Sequence, residues 1–432
     1  MNFYRLSALA LVCSMGFAAC SSDSKHEAVV APDDEEEVKA VAIDYSLGRA
    51  MNKRLGKGIN LGNAWDGESY WSCGKLEAGD SFTYTNLSGE TKEIVLSKSE
   101  ADSYVLPAER YNFGCSDNLD AGWGSAISDD YFPMLKAAGF NSVRIPVRWQ
   151  HNSDPVSHKV NPDRMAGVLD DVQKAIDAGL AVVISFHWYY EIMFAANNAT
   201  KYPDLYEAEK VHYSSIWTEV ATAFKHFPDT MLVWDILNEP TIISKETMNE
   251  VMTLGYNSIR AVDKNKTIMF ESYHAAKFAD LDALTLPQDG NIIYSGHYYE
   301  PFAFSHQGHQ AQYPCVGDNA FKNSAAIDLN KYVKQATTLY PDVNGGHVPM
   351  NMGEFGISGG GKFATDWACD KDKDWSVPSA RMKAEWAKMT IEAAEANDMS
   401  WHYWGLAKVG GFEAYDKNNG TWYEGFPAAF GL

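Results

Sequence analysis

Glu239, in WDILNEP, and Glu354, in MNMGEFG, each follow an apolar run that reads as a strand. Two carboxylates shown at the ends of different strands on one rigid rim can split a glycosidic bond. One gives a proton, and the other attacks carbon or activates water. A lone acid at a strand end says little, because such residues often mark the solvated end of a strand. Here the other strand ends carry Arg144, His187, His297, Tyr299 and Trp404. Singly, Arg144 would serve as ion-pair partner to any buried acid, His187 as a core histidine and Trp404 as packing. Together they point to an enzymatic site.

The elements that must position these residues follow a rhythm. Short apolar runs occur at 58–62, 142–147, 181–187, 231–237, 267–271, 291–297, 348–354 and 399–405. Several are continuous in Val, Ile, Leu and Phe, as strands buried on both faces read. Between them lie amphipathic stretches such as DRMAGVLDDVQKAIDAG, where Met165, Leu169, Val172 and Ile176 recur at helical spacing. Gly139 and Gly179 stand where two helices should end. This alternation predicts an α/β fold, a (β/α)8 TIM barrel with a long insertion after the first strand. A doubly wound sheet is the alternative, but no glycine-rich phosphate loop follows an early strand. The insertion, about residues 68–121, contains TYTNLSGETKEIVLSKS and predicts a hairpin, either a flap beside the site or surface decoration. A second irregular loop, 301–323, should lie on the catalytic face.

The N-terminus predicts export from the cytoplasm. Arg5 precedes an apolar run from Leu6 to Ala19 that is too short for a bilayer span and suits a signal peptide. FAAC resembles a bacterial lipoprotein cleavage site, with Cys20 as the lipidated first residue of the mature chain. Residues 20–54 read as a lipidated N-terminus and flexible acidic linker, and 55–432 as the catalytic domain. An outer-membrane or cell-surface lipoprotein is expected, with a periplasmic or secreted protein as the alternative.

The formal net charge of −21 excludes a phosphate-backbone partner, which draws on Lys and Arg. Contact with a membrane is expected only through the lipid anchor, and a monomer is expected. Beyond Cys20, four cysteines remain and allow three complete pairings. Cys73 and Cys115 bracket the insertion, which favours Cys73–Cys115 with Cys315–Cys369. No zinc-type spacing is present, and the acidic run 368–374 lacks the spacing of a calcium loop.

In their order along the chain, GINLGN, GFNSVRIPVRW, the His187 strand end, LNEP, HYYEPFAF, GEFG and WHYWG resemble glycoside hydrolase family 5, the cellulase family. The resemblance runs from about Gly56 to Phe426. It implies a retaining reaction with Glu239 as acid/base and Glu354 as nucleophile, and no metal or cofactor. It further implies that Asn238 binds the sugar hydroxyl beside the reacting carbon, with His187 supporting that subsite. By the same resemblance His297 partners Glu239, Arg144 and Tyr299 attend Glu354, and Trp404 is the floor on which a sugar stacks. Trp65, Trp149 and Trp188 lie at or near strand ends, either as further sugar-binding surfaces or as packing.

One departure is informative. Many members carry a second polar residue after the third-strand histidine, whereas this chain reads HWYYE with Trp188 there. The expected activity is endo-cleavage of β-1,4-linked glucan, cellulose-like or mixed-linkage, from plant cell walls. Mannanase and xyloglucanase or xylanase activity are the alternatives within the family. A silent glycan-binding envelope protein is the alternative outside it.

Overall fold

Each of the eight apolar runs supplies one strand: β1 (Lys57–Asn60), β2 (Ser142–Val147), β3 (Ala181–Phe186), β4 (Leu232–Asp235), β5 (Thr267–Glu271), β6 (Ile292–Tyr298), β7 (Met350–Phe355) and β8 (Ser400–Tyr403). They are parallel and close in the order β1-β8-β7-β6-β5-β4-β3-β2, the predicted barrel. Nearly every strand position is buried, because one face meets the barrel interior and the other the surrounding helices. The computed structural model describes residues 40–66, 78–102, 126–306, 324–358, 380–407 and 411–432. Cys20, Cys73, Cys115, Cys315 and Cys369 fall outside these residues, as does most of the loop after β6.

The main helices are α1 (Ser46–Leu55), α2 (Tyr131–Ala137), α3 (Pro162–Asp177), α4 (Tyr190–Asn197), α5 (Pro203–Ala223), α6 (Lys245–Val262), α7 (Ser324–Leu339) and α8 (Ala380–Glu395). Their ends follow local chemistry. The Asn161 side chain accepts from the N–H groups of Asp163 and Arg164, with Pro162 opening α3. Gly139 and Gly179, with φ of 92° and 82°, sit just past α2 and α3 as expected. Among the described residues, no helix is long and apolar enough to cross a membrane.

The expected linker ends too late. Residues 46–54 belong to α1, whose Met51 and Leu55 pack with Ala181, Val183, Val233, Met269 and Ile293 in an apolar cluster. Gly48 lies so close to the backbone of β6 that a Cβ there would meet the Ile292 carbonyl oxygen at 2.2 Å. A polar ten-residue stretch is helical here because the strands give its apolar stripe something to cover. Helix α5 runs from Pro203 to Ala223. Its first turns bury Glu209 and His212 together with Leu205 and Tyr206, which blurs the periodicity.

The insertion contains the expected hairpin, Ser81–Thr85 paired with Thr91–Val95. The Asn86 side chain accepts from the N–H groups of Ser88 and Glu90 and shapes its turn. The hairpin docks on α4 and α5. Phe82 meets the Phe194 ring at 6.4 Å, Lys92 pairs with Asp204, and nearby Glu100 binds Lys201 at 2.8 Å.

Candidate active site

The strand ends converge on Arg144, whose side chain has no exposure. A buried guanidinium without partners would cost several kcal/mol, so its donors must all be spent. Nε and Nη2 donate to Asp235 at 3.1 and 3.0 Å, and Nη1 donates to Asn60 at 2.9 Å and to Glu354 at 2.7 Å. Nη2 also reaches Ser185, Asn238 and Glu271 at 2.9, 2.6 and 3.2 Å. One cation from β2 therefore ties together residues from β1, β3, β4, β5 and β7 and the turn after β4.

Glu354 sits in β7 with both oxygens engaged: Oε1 accepts from Arg144, and Oε2 accepts from the Tyr299 hydroxyl at 3.0 Å. Glu239 follows β4 in the left-handed region, with φ of 50°. Such a conformation costs about 1–3 kcal/mol in a non-glycine residue. A hydrogen bond from the Glu239 backbone N–H to Glu271 Oε2, at 2.8 Å, helps to hold it. Glu239 Oε1 lies 2.9 Å from His297 Nδ1, and Oε2 accepts from the Trp188 indole at 3.1 Å. His297 Nε2 lies 3.1 Å from Glu271 Oε1. A register shift between Gly296 and His297 re-aims this part of β6. One carboxylate oxygen from each of Glu239 and Glu354 and one ring nitrogen of His297 all lie within 4.8 Å of one another.

Charge follows from this packing. Burial opposes the imidazolium of His297, but the charges of Glu271 and Glu354, with hydrogen bonds to Glu239 and Glu271, hold its pKa well above the ordinary range. Burial also pushes Glu239 up, yet the hydrogen bond and charge of His297 leave it below the usual glutamate value. Glu354 is pushed up by burial, with Glu239 adding and His297 and Arg144 opposing. These directions favour an ion pair between His297 and Glu239. Asp235 is raised to about 7, chiefly by burial and then by the charge of Glu271.

Beside the pair, His187 and Trp404 stack with ring centroids 5.7 Å apart and planes 3° from parallel. Burial and the Arg144 and Arg148 charges keep His187 neutral, well below the ordinary imidazole range. Both His187 ring nitrogens and the Asn238 amide nitrogen are buried without a hydrogen-bond partner among the described residues. Gly62 lets Trp404 lie against the end of β1, since a Cβ there would meet its ring at 2.5 Å. Trp188 is half-buried, stacks on Tyr190 and lies over the Arg148 guanidinium at 5.1 Å.

The structure thus brings together Arg144, His187, Asn238, Glu239, His297, Tyr299, Glu354, Trp188 and Trp404. Two tryptophans do not join them as surfaces for sugar. Trp149 is fully buried and packs edge-on against Phe224. Trp65 donates to Asp171 of α3 at 2.6 Å and lies under Arg164 at 5.0 Å. Both are packing residues. Asn60, Ser185, Asp235 and Glu271 went unassigned in the sequence, although each lies at or near the polar end of an apolar run, the signal that marked the two glutamates.

A family model described as cellulase (glycosyl hydrolase family 5) matches residues 106–409. Endoglucanase A of Clostridium longisporum is 25% identical over 258 residues, covering 55% of this chain and 47% of that protein. A xyloglucan-specific endo-beta-1,4-glucanase of Bacteroides ovatus, BoGH5A, is 25% identical over 265 residues, covering 57% and 52%. The chain spans about half the length of the curated relatives it matches. Among solved structures, Thermotoga maritima Cel5A in complex with cellobiose aligns with a TM-score of 0.62 at 25% identity, covering 89% of this chain and 99% of that one. The same enzyme with mannotriose gives 0.64 at 24% identity, with the same coverage.

Proposed function

This chain belongs to glycosyl hydrolase family 5, the cellulase family, and on that premise we propose that it is a retaining endo-β-1,4-glucanase. One observation carries the reading: a carboxylate pair, Glu354 buried and Glu239 half-buried, with one oxygen of each within 4.8 Å of the other. Retaining enzymes hold their carboxyls about 5–5.5 Å apart, whereas inverting ones leave about 6.5–9.5 Å for a water.

Glu354, aimed by Arg144 and Tyr299, attacks the anomeric carbon while Glu239 protonates the departing oxygen. A covalent glycosyl-enzyme forms and the leaving chain carries away the proton. Glu239, now a carboxylate, then takes a proton from water as that water attacks the same carbon, and Glu354 is released. Arg144 and Tyr299 stabilise the carboxylate that is restored in this step. The free amide N–H of Asn238 is placed to donate to the neighbouring sugar hydroxyl. Trp404, backed by His187, supplies a flat apolar surface for the ring. Trp188 adds a second aromatic surface next to Glu239.

The substrate we favour is unbranched β-glucan, because an aromatic site with no exposed cation among its described residues suits a neutral polymer. A relative specific for xyloglucan and a neighbour seen with mannotriose make xyloglucan and mannan the alternatives. Reducing-end release from carboxymethyl-cellulose, mixed-linkage β-glucan, glucomannan, galactomannan, xyloglucan and xylan tests the reading, with Glu354→Gln as background. Release led by the unbranched glucans is expected. Preference for galactomannan would make the protein a mannanase, and silence from folded protein would overturn the enzymatic reading.

Residues 1–19 fit an export signal, Cys20 a lipid anchor and the acidic stretch up to about Ala40 a stalk. Metabolic labelling with a radioactive fatty acid tests the anchor, and exported but unlabelled protein would remove it. Pairing of Cys73 with Cys115 and of Cys315 with Cys369 is checked by peptide mapping without reduction.

A further inference from the structure

We propose that Glu271 is a positioning residue that sets where the catalytic proton sits, through a line Glu271–His297–Glu239. This inference rests on Glu239 being the acid/base. Glu271 ends β5, has no side-chain exposure, and touches the acid/base by two independent routes. Its Oε1 lies 3.1 Å from Nε2 of His297, whose Nδ1 lies 2.9 Å from Glu239 Oε1. Its Oε2 accepts the backbone N–H of Glu239 at 2.8 Å, at the residue whose φ is 50°. The same carboxylate meets Arg144 Nη2 at 3.2 Å.

An acceptor on Nε2 keeps a proton on that nitrogen, which leaves Nδ1 free to exchange its own with Glu239. In one arrangement His297 carries both protons and Glu239 is a carboxylate. In the other, Nδ1 has passed its proton to Oε1, so His297 is neutral and Glu239 is the acid. The proton count is identical and only the N–H and O–H bonds exchange. Substrate takes the proton from the second arrangement as the glycosidic C–O bond breaks. In the next half-reaction the proton lost by attacking water returns to the pair.

The groups facing His297 are Glu239 after β4, Glu271 from β5 and Glu354 from β7, whose Oε2 lies 3.6 Å from Nδ1. Arg144 from β2 stands behind both Glu271 and Glu354, and Tyr299 donates to Glu354. The charge of His297 also acts on His187, which it helps to keep neutral. Of the carboxylates around His297, Glu271 is the one with no part in bond making, so its charge can be removed without removing a reacting group.

The test compares wild type with Glu271→Gln and Glu271→Asp. The first readout is the pH dependence of kcat/KM on soluble β-glucan, which needs a proton at departure, and on dinitrophenyl β-cellobioside, which does not. Loss of the negative charge lowers the proton affinity of the pair, so the alkaline limb of Glu271→Gln should fall at a pH about one unit lower. Its kcat/KM on glucan at neutral pH should drop about 10²-fold, and on the aryl glycoside by at least tenfold less. Glu271→Asp should restore the alkaline limb. The second readout needs no turnover: nitrogen NMR of labelled histidine should show His297 losing its second proton at lower pH in Glu271→Gln. An unshifted limb with equal loss on both substrates, or an unmoved His297 titration, would overturn the proposal. Glu239→Ala run alongside separates the two claims. If it too loses both substrates equally, the acid/base assignment has failed rather than the role of Glu271.

Discussion

The buried network around Arg144 and the aromatic rim above it are built on opposite terms. In the network, polar groups from five barrel strands share one cation, and Arg144, Asp235 and Glu271 have no side-chain exposure. The rim draws on residues outside the strands: Trp188 and Tyr190 after β3, Trp404 and Phe412 after β8. Strand residues are fixed by barrel register and cannot move without disturbing their neighbours. Rim residues can change with their loops. Reaction type should therefore belong to the network, and the choice among polysaccharides to the rim.

Substitutions can break this division. The largest effect should come from Glu354→Gln, with kcat lower by more than about 10⁴-fold on every polymer and an unchanged melting temperature. Next, Arg144→Lys keeps the charge but loses the fork that reaches Asp235, Asn60 and Glu354 at once. A loss of about 10²–10³-fold in kcat/KM is expected, equal across polymers. A loss concentrated on one polymer would show the network reading substrate, contrary to the comparison. Trp188→Ala should do the reverse and change the ratio of glucan to galactomannan cleavage by about tenfold, mainly through KM. An unchanged ratio would make Trp188 a supporter of Glu239 alone.

The smallest effect concerns how the segment after the hairpin is held. Burial pushes Glu100 up, but Lys201 and Ser97 outweigh it and lower its pKa from 4.5 to about 2. A depressed carboxyl adds stability above its unfolded pKa and loses it as pH falls through the folded value. Thermal melts of wild type and Glu100→Gln should therefore differ near neutrality and converge as pH falls from about 4.5 toward 2. A difference that persists at the acid end would assign the effect to packing.

What the sequence discloses follows the same divide. All eight strands were legible, because a strand buried on both faces writes an apolar run, and the two glutamates were legible as the polar residues that end such runs. Glu271 ends the run TIMFE in the same way, but nothing local separates a carboxylate that reaches a histidine from one that faces water. The tryptophans failed for a related reason. Trp149 and Trp188 both follow barrel strands closely, and only tertiary packing buries the first against Phe224 and turns the second toward Glu239. Helix α1 was missed because its stripe is short and makes sense only against the barrel strands. The hairpin turn was visible in NLSGE, but its docking through Phe82, Lys92 and Glu100 depends on residues about a hundred positions away.

The central claim is that Glu354 attacks carbon while Glu239 handles the proton. A fluorinated dinitrophenyl β-cellobioside slows the second half-reaction and traps the covalent intermediate, which peptide mass spectrometry can then locate. The account predicts one glycosyl adduct per chain, on Glu354, and a first product of retained configuration. No adduct together with an inverted product, or an adduct on another carboxylate, would contradict it.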